Sequence, residues 1–263
     1  MATVGLFDSG FGGLTVVREV KRQLPGVNVR FYGDNSRIPY GPLPKETIVR
    51  YTRQILDFLA GKNIDIAIIA CNTATSASLE EVKDEYPFPV LGVIKPGIKG
   101  ALAATRNNKI GVVATEFTIG SGAHKQGLKA ANPKAEVIGQ ACPQITLLVE
   151  AGKTSGPEVE AAVSGYLKNF KGTGIDTLVL GCTHYPVLED TIRNYVDQNV
   201  TIIDPAVETV AEAKEWLQKK GLVTDCVSPS YKFYTSGDPE LFTQVGTIIL
   251  GWPIDNVEKV VLG

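Results

Sequence analysis

Gly61-Lys62-Asn63-Ile64-Asp65-Ile66-Ala67-Ile68-Ile69-Ala70-Cys71-Asn72-Thr73 has a counterpart 111 residues later: Gly172-Thr173-Gly174-Ile175-Asp176-Thr177-Leu178-Val179-Leu180-Gly181-Cys182-Thr183-His184. Ile66-Ala67-Ile68-Ile69 shows no polar alternation, as expected of a parallel strand covered on both faces. The same offset carries Pro89–Val93 onto Val200–Asp204, and Leu56 and Leu59 onto Leu167 and Phe170. Val4-Gly5-Leu6-Phe7 similarly matches Ile110-Gly111-Val112-Val113, at an offset of 106. Any two buried strands share apolar character. An Ile-Asp start, an apolar run and a closing Cys at one fixed spacing, with flanking matches, argue instead for a duplicated unit. A period of this length is too long for a solenoid.

Working outward, short β-branched runs alternate with helix-patterned segments, which predicts α/β architecture. Strands are predicted at Val4–Phe7, Val29–Tyr32, Ile64–Ala70, Val90–Ile94, Ile110–Val113, Ala135–Ile138, Thr177–Leu180, Thr201–Ile203 and Tyr231–Thr235. Helices are predicted between them, including Leu14–Gln23, Lys45–Lys62, Thr75–Tyr86, Glu116–Ala130, Pro157–Phe170 and Glu208–Lys219. In the second of these, Ile48, Tyr51, Ile55, Phe58 and Leu59 recur at helical spacing. The units divide at Lys95-Pro96-Gly97 and Asp204-Pro205-Ala206. Residues 1–97 with 207–263 form one unit and 98–206 the other. The last segment is too short for an independent domain and returns to one of the units.

The 263 residues carry a formal charge of −2, 44% hydrophobic and 21% charged residues. That composition fits a globular protein and gives no reason to expect a nucleic-acid partner. No apolar run approaches the roughly 20 residues that span a bilayer, so no membrane partner is expected. The start, Met1-Ala2-Thr3-Val4-Gly5, lacks the basic and apolar regions of a signal peptide. A cytoplasmic protein with reduced thiols follows.

Of the four cysteines, Cys71 and Cys182 stand at equivalent repeat positions, each after a buried strand and before a helix-forming stretch. Ligands of open α/β sheets sit outside the carboxyl ends of the strands, and a helix start beside a thiol favours the thiolate. A lone buried Cys is commonly a small core residue; two at matched positions point to chemistry. Facing units would set one thiol on each side of a bound molecule. That is the geometry for removing a proton from one face of a carbon and returning one to the other. Asn72, Thr73, Thr75 and Thr183 supply donors for a carboxylate.

His184, two residues beyond Cys182, either orients or protonates that thiol or packs locally. His124 reads as a surface or packing residue, and Cys142 and Cys226 as structural. Asp8 is either an acid/base or ammonium partner or a cap. The glycines of Asp8-Ser9-Gly10-Phe11-Gly12-Gly13 allow a phosphate-binding loop, although the P-loop ending is missing. Ser36 and Tyr40, around a rigid Pro39-Tyr40-Gly41-Pro42 loop, are placed to face a ligand. Glu150 reads as a helix-end carboxylate. No CxxC redox motif is present, C-x5-R fails at Ala77, and two histidines make a zinc site poor. A Cys182–His184 hydrolase and a two-lobed small-acid binding protein stay open beside the two-thiol reading.

Five segments together resemble the glutamate racemases of the cofactor-independent aspartate/glutamate racemase superfamily: Gly5–Leu14, Tyr32-Gly33-Asp34-Asn35-Ser36, Pro39-Tyr40-Gly41, Ala70-Cys71-Asn72-Thr73-Ala74-Thr75 and Leu180-Gly181-Cys182-Thr183-His184-Tyr185-Pro186. The resemblance implies two pseudo-symmetric flavodoxin-like three-layer units with parallel sheets and an active site in the cleft between them. It implies interconversion of L- and D-glutamate without pyridoxal phosphate or metal, supplying peptidoglycan synthesis, by a homodimer. Cys71 would handle the Cα proton of the D-isomer and Cys182 that of the L-isomer, with Asp8, Glu150 and His184 assisting. Ser9, Tyr40, Gly41, Asn72, Thr73, Thr115, Thr118 and Thr183 would bind substrate. Another acidic substrate such as aspartate fits the same pair of thiols. The chain departs from the family pattern at Leu43 (usually Arg), Phe117 (usually Gly) and His124 (usually Tyr).

Overall fold

The computed structural model describes residues 1–223 and 228–263, so Cys226 lies outside the described residues. Two all-parallel sheets organise the chain. The first contains β1 (Thr3–Asp8), β2 (Asn28–Gly33), β3 (Ile66–Ile69) and β4 (Val90–Gly92), extended at one edge by β9 (Tyr231–Thr235) and β10 (Val257–Lys259) in the order β10-β9-β2-β1-β3-β4. The second contains β5 (Lys109–Ala114), β6 (Glu136–Ala141), β7 (Thr177–Gly181) and β8 (Thr201–Ile203) in the order β6-β5-β7-β8. The stretches β2-β1-β3-β4 and β6-β5-β7-β8 repeat one order, the flavodoxin-like start, and β3 and β7 take the same place in it, as the offset read from sequence requires.

Side chains along each strand alternate between two apolar layers. In β1, Val4 and Leu6 pack with Val16, Val17 and Val20 of α1 (Leu14–Gln23). Phe7 packs on the other face with Ile48, Ile55, Leu56 and Leu59 of α2 (Lys45–Ala60). In β7, Leu178 and Leu180 join the first of these cores, while Val179 joins Ile110, Val112 and Leu128 on the opposite face. The first core runs without interruption from α1 through α10 (Pro205–Lys219), which contributes Ala206, Val210, Ala213 and Leu217, into the layer around Cys142 and Ile145. Helix and strand meet here as one packed body.

Local signals place the helix starts. Asp204 caps α10 through Ala206 N at 2.9 Å, and Pro205 occupies its first turn. Asp238 caps α11 (Pro239–Leu250) in the same way, at 2.8 Å to Glu240 N. The return segment thus supplies a second helix and a second strand beyond those expected. The predicted helix 116–130 divides into α5 (Glu116–Ser121) and α6 (Ala123–Ala131), because Gly122 takes a left-handed φ of 69°. The run after Cys182 is not an α-helix at first: a 3₁₀ turn at Tyr185–Leu188 precedes the short α9 (Glu189–Arg193).

Candidate active site

The carboxyl ends of β1, β3, β5 and β7 bring their loops to one narrow cavity. It is lined by Ser9, Tyr40, Gly41, Cys71, Asn72, Thr73, Thr115, Cys182, Thr183 and His184, with Ile38, Pro39 and Thr146. Both thiols are therefore on one cavity, from opposite sheets. Asp8, Glu150 and Thr118 do not line it; each is hydrogen-bonded to a residue that does. Ser36 is exposed and does not line it either.

Cys71 is the N-cap of α3 (Asn72–Val82). Its Sγ accepts from Ala74 N at 3.4 Å and lies 3.5 Å from Ser9 Oγ. Burial pushes the thiol up to about 12, and the charge of Asp8 adds to that effect. The helix start does favour the thiolate through the Ala74 contact, but desolvation outweighs it.

Cys182 Sγ lies 3.5 Å from His184 Nδ1 and 3.7 Å from Thr146 Oγ1. The other ring nitrogen of His184 is 2.5 Å from Glu150 Oε1. Burial opposes the charged imidazole, yet the Cys182 sulfur and Glu150 together hold His184 well above its ordinary value. Glu150 is fixed in turn by Phe11 N at 2.7 Å and Asn35 Nδ2 at 3.5 Å. It is no free helix-end carboxylate: its side chain is 12% exposed.

Asp8 is fully buried, accepting from Gly10 N at 2.9 Å and from Thr183 Oγ1 at 2.9 Å. Burial raises its carboxyl, against the pull of His184 and these two bonds. The glycines around it serve close approach. A Cβ at Gly10 would stand 2.2 Å from Glu150 Oε1, and one at Gly12 2.6 Å from His184 Nδ1. The loop is shaped to admit the Glu150–His184 pair, which accounts for its composition without a phosphate.

Polar groups on the far side form linked sets. Thr73 Oγ1 is 2.8 Å from Thr115 Oγ1 and 3.4 Å from Thr118 Oγ1. Thr115 also caps α5, its Oγ1 accepting from Thr118 N at 3.2 Å. Asn72 Oδ1 is buried with no hydrogen-bond partner among the described residues. Tyr40 donates its hydroxyl to Asp34, which also accepts from Arg37 Nε at 2.7 Å and Ser236 Oγ at 2.9 Å. Leu43 and Phe117 both pack onto the first sheet's outer core, so Phe117 carries α5 toward that unit. Thr146 and Ser236 carry no signal in the sequence, because each reaches its partner, Cys182 or Asp34, across a long stretch of chain. Among the described residues no cluster of His, Cys, Asp and Glu is placed to hold a metal ion.

A family model described as Asp/Glu/Hydantoin racemase matches residues 9–213. The chain belongs to this racemase family. It is 44% identical to a glutamate racemase of Oceanobacillus iheyensis, over 94% of this chain and 91% of that one. The structure of a glutamate racemase isoform from Bacillus anthracis superposes with a TM-score of 0.95, at 37% identity, covering 99% of this chain and 98% of that one. A glutamate racemase from Francisella tularensis, solved in complex with D-glutamate, gives 0.91 at 34% identity, covering 99% and 98%. Membership in a racemase family matches a cavity that presents a thiol from each of two related sheets.

Proposed function

We propose that this chain interconverts L- and D-glutamate by a two-thiol exchange at Cα, with no cofactor. The observation that carries the reading is the pair of thiols, Cys71 and Cys182, on one cavity at equivalent strand ends with unlike surroundings. In the L-to-D direction the Cys182 thiolate, held by protonated His184, takes the Cα proton. The Cys71 thiol, kept protonated by its burial, returns a proton to the opposite face. The thiols exchange protonation states, and the D-isomer is converted back by the same steps in reverse. Glu150 keeps His184 charged, and Asp8 fixes Thr183 and biases Cys71 toward the thiol.

Substrate binding falls to local dipoles, since the chain is nearly neutral. Ser9, Thr73, Thr115, Thr183 and the backbone at Gly41 surround the carboxylates, with Thr118 setting the Thr73–Thr115 pair. The unpartnered Asn72 Oδ1 suits an ammonium N–H. Tyr40 spends its hydroxyl on Asp34 and contributes its ring to the wall. We assign residues 1–97 with 207–263 to one unit and 98–206 to the other, a division that the strand order supports. The product suits peptidoglycan synthesis, and a cytoplasmic homodimer is the assembly we favour. No helix among the described residues is long and apolar enough to cross a membrane.

Incubation with L-glutamate in deuterated water, without added cofactor, tests the proposal. Deuterium at Cα together with D-glutamate supports it. Absence of both overturns it, and aspartate run in parallel decides the substrate.

A further inference from the structure

A second cavity, of about 240 Å3, lies behind the threonine set, lined by Val112, Thr118, Ile119, His124, Lys125 and Val137 with two glycines. His124 is 3% exposed, and neither Nδ1 nor Nε2 has a hydrogen-bond partner among the described residues. Buried polar atoms are nearly always paired, so two orphaned nitrogens on one cavity wall point to a missing partner. The ring is wedged against the end of β7: a Cβ at Gly181 would stand 3.3 Å from His124 Cε1. Burial pushes His124 down to about 4, leaving a neutral ring with one donor and one acceptor nitrogen near pH 7.

The rest of the lining has a sign and a texture. Lys125 is exposed and stands at the rim, in the first turn of α6, whose N-terminus starts at Ala123 and carries the positive end of the helix dipole. No acidic side chain is among the lining residues. Val112, Ile119 and Val137 offer an apolar wall. The volume suits a molecule of a few to about ten heavy atoms, well beyond the ~10–15 Å3 that a single water needs.

We propose that this cavity binds a small carboxylic acid with a short apolar body. Its carboxylate sits against His124 and Lys125, and its body against Val112, Ile119 and Val137. The bound charge favours the protonated ring, which turns both nitrogens into donors. The cavity shares Thr118 with the cluster that sets Thr73 and Thr115, so one side chain separates this ligand from the thiol cleft.

The chain contains two histidines, which makes the His124 Cε1–H signal accessible by proton NMR of the full chain. Titration with isobutyrate and with benzoate is expected to shift that signal saturably, while isobutyramide and benzamide leave it in place. Lys125→Gln, at an exposed position, is expected to weaken the carboxylates several-fold. Val137→Phe, filling the cavity from the opposite wall, is expected to abolish the shift with far-UV circular dichroism unchanged. The proposal is overturned if neither carboxylate gives a saturable shift, if the amides bind as well, or if inorganic phosphate binds as tightly as the carboxylates. Undiminished binding in Lys125→Gln, or in folded Val137→Phe, also overturns it.

Discussion

Cys71 and Cys182 leave strands with the same place in two related sheets, yet their neighbours have diverged. Around Cys71 the contacts are neutral or negative: Ser9 Oγ, Ala74 N and the buried Asp8. Around Cys182 stands a histidine held against Glu150, with Thr146 on the other side. The backbone duplicates and the charge does not. A two-base exchange requires one partner to start with the proton and the other without it. A symmetrical scaffold cannot supply that difference; its side chains can. In the proposed exchange, the burial that raises Cys71 and the partners that raise His184 would divide the roles before substrate arrives.

The largest effect is expected from removing either thiol. Cys71→Ser and Cys182→Ser should each lower racemisation by at least ~10²–10⁴-fold, the range for loss of a general acid or base. A circular dichroism assay of D-glutamate formation checks this. Near-normal turnover in either variant breaks the two-wall comparison outright.

Next come the groups that make the walls unlike. His184→Asn and Asp8→Asn should each cost roughly 10²-fold in kcat/KM. The loss must be equal in both directions, because enantiomers are equally stable in water. The asymmetry should appear in kcat and KM taken separately, with His184→Asn depressing kcat more from L-glutamate and Asp8→Asn more from D-glutamate. Identical patterns for the two variants would show that the environments are interchangeable.

Gly10→Ala tests the same wall from a distance. A Cβ there would meet Glu150 Oε1, so the carboxylate must move away from His184. A loss of about ten-fold in kcat/KM is expected from such misplacement, with the basic limb of the pH profile moving to lower pH as His184 loses its anionic partner. An unchanged profile would detach Glu150 from the imidazole's charge.

The smallest effect concerns stability. His124 is held down at about 4 against an ordinary 6.5. Below pH 6.5 the unfolded chain binds a proton that the folded chain refuses, so stability is full above that pH and falls as pH drops toward 4. The shift corresponds to about 3 kcal/mol. In thermal melts across this window the chain should lose stability relative to His124→Phe as pH drops; parallel curves would refute the assignment.

Much of this was legible from residues. Ile66–Ile69 and Thr177–Leu180 announce themselves because strands buried on both faces cannot alternate, and the Cys at each end marks the site. What sequence could not show was partnership at a distance. Glu150 looks like any helix-end carboxylate until folding sets it on His184. The glycines of the Asp8–Gly13 loop allow a phosphate loop until the close approach of Glu150 and His184 explains them. The helix expected across 116–130 failed at Gly122 because periodicity does not report a single left-handed residue. Ser236 sits 202 residues from Asp34, and no local pattern encodes that bond.

That last bond bears on how the chain is made. β9 pairs with β2 from Val29↔Tyr231 to Gly33↔Thr235, and Ser236 closes the Asp34 group that holds Tyr40. On the ribosome, the strands of the second sheet emerge complete while the first sheet still lacks its edge. The nascent chain therefore holds an open β2 edge through most of its synthesis. The Asp34 group that holds Tyr40 gains its Ser236 donor only when the last strands arrive, so that part of the cavity's support is the last to be made.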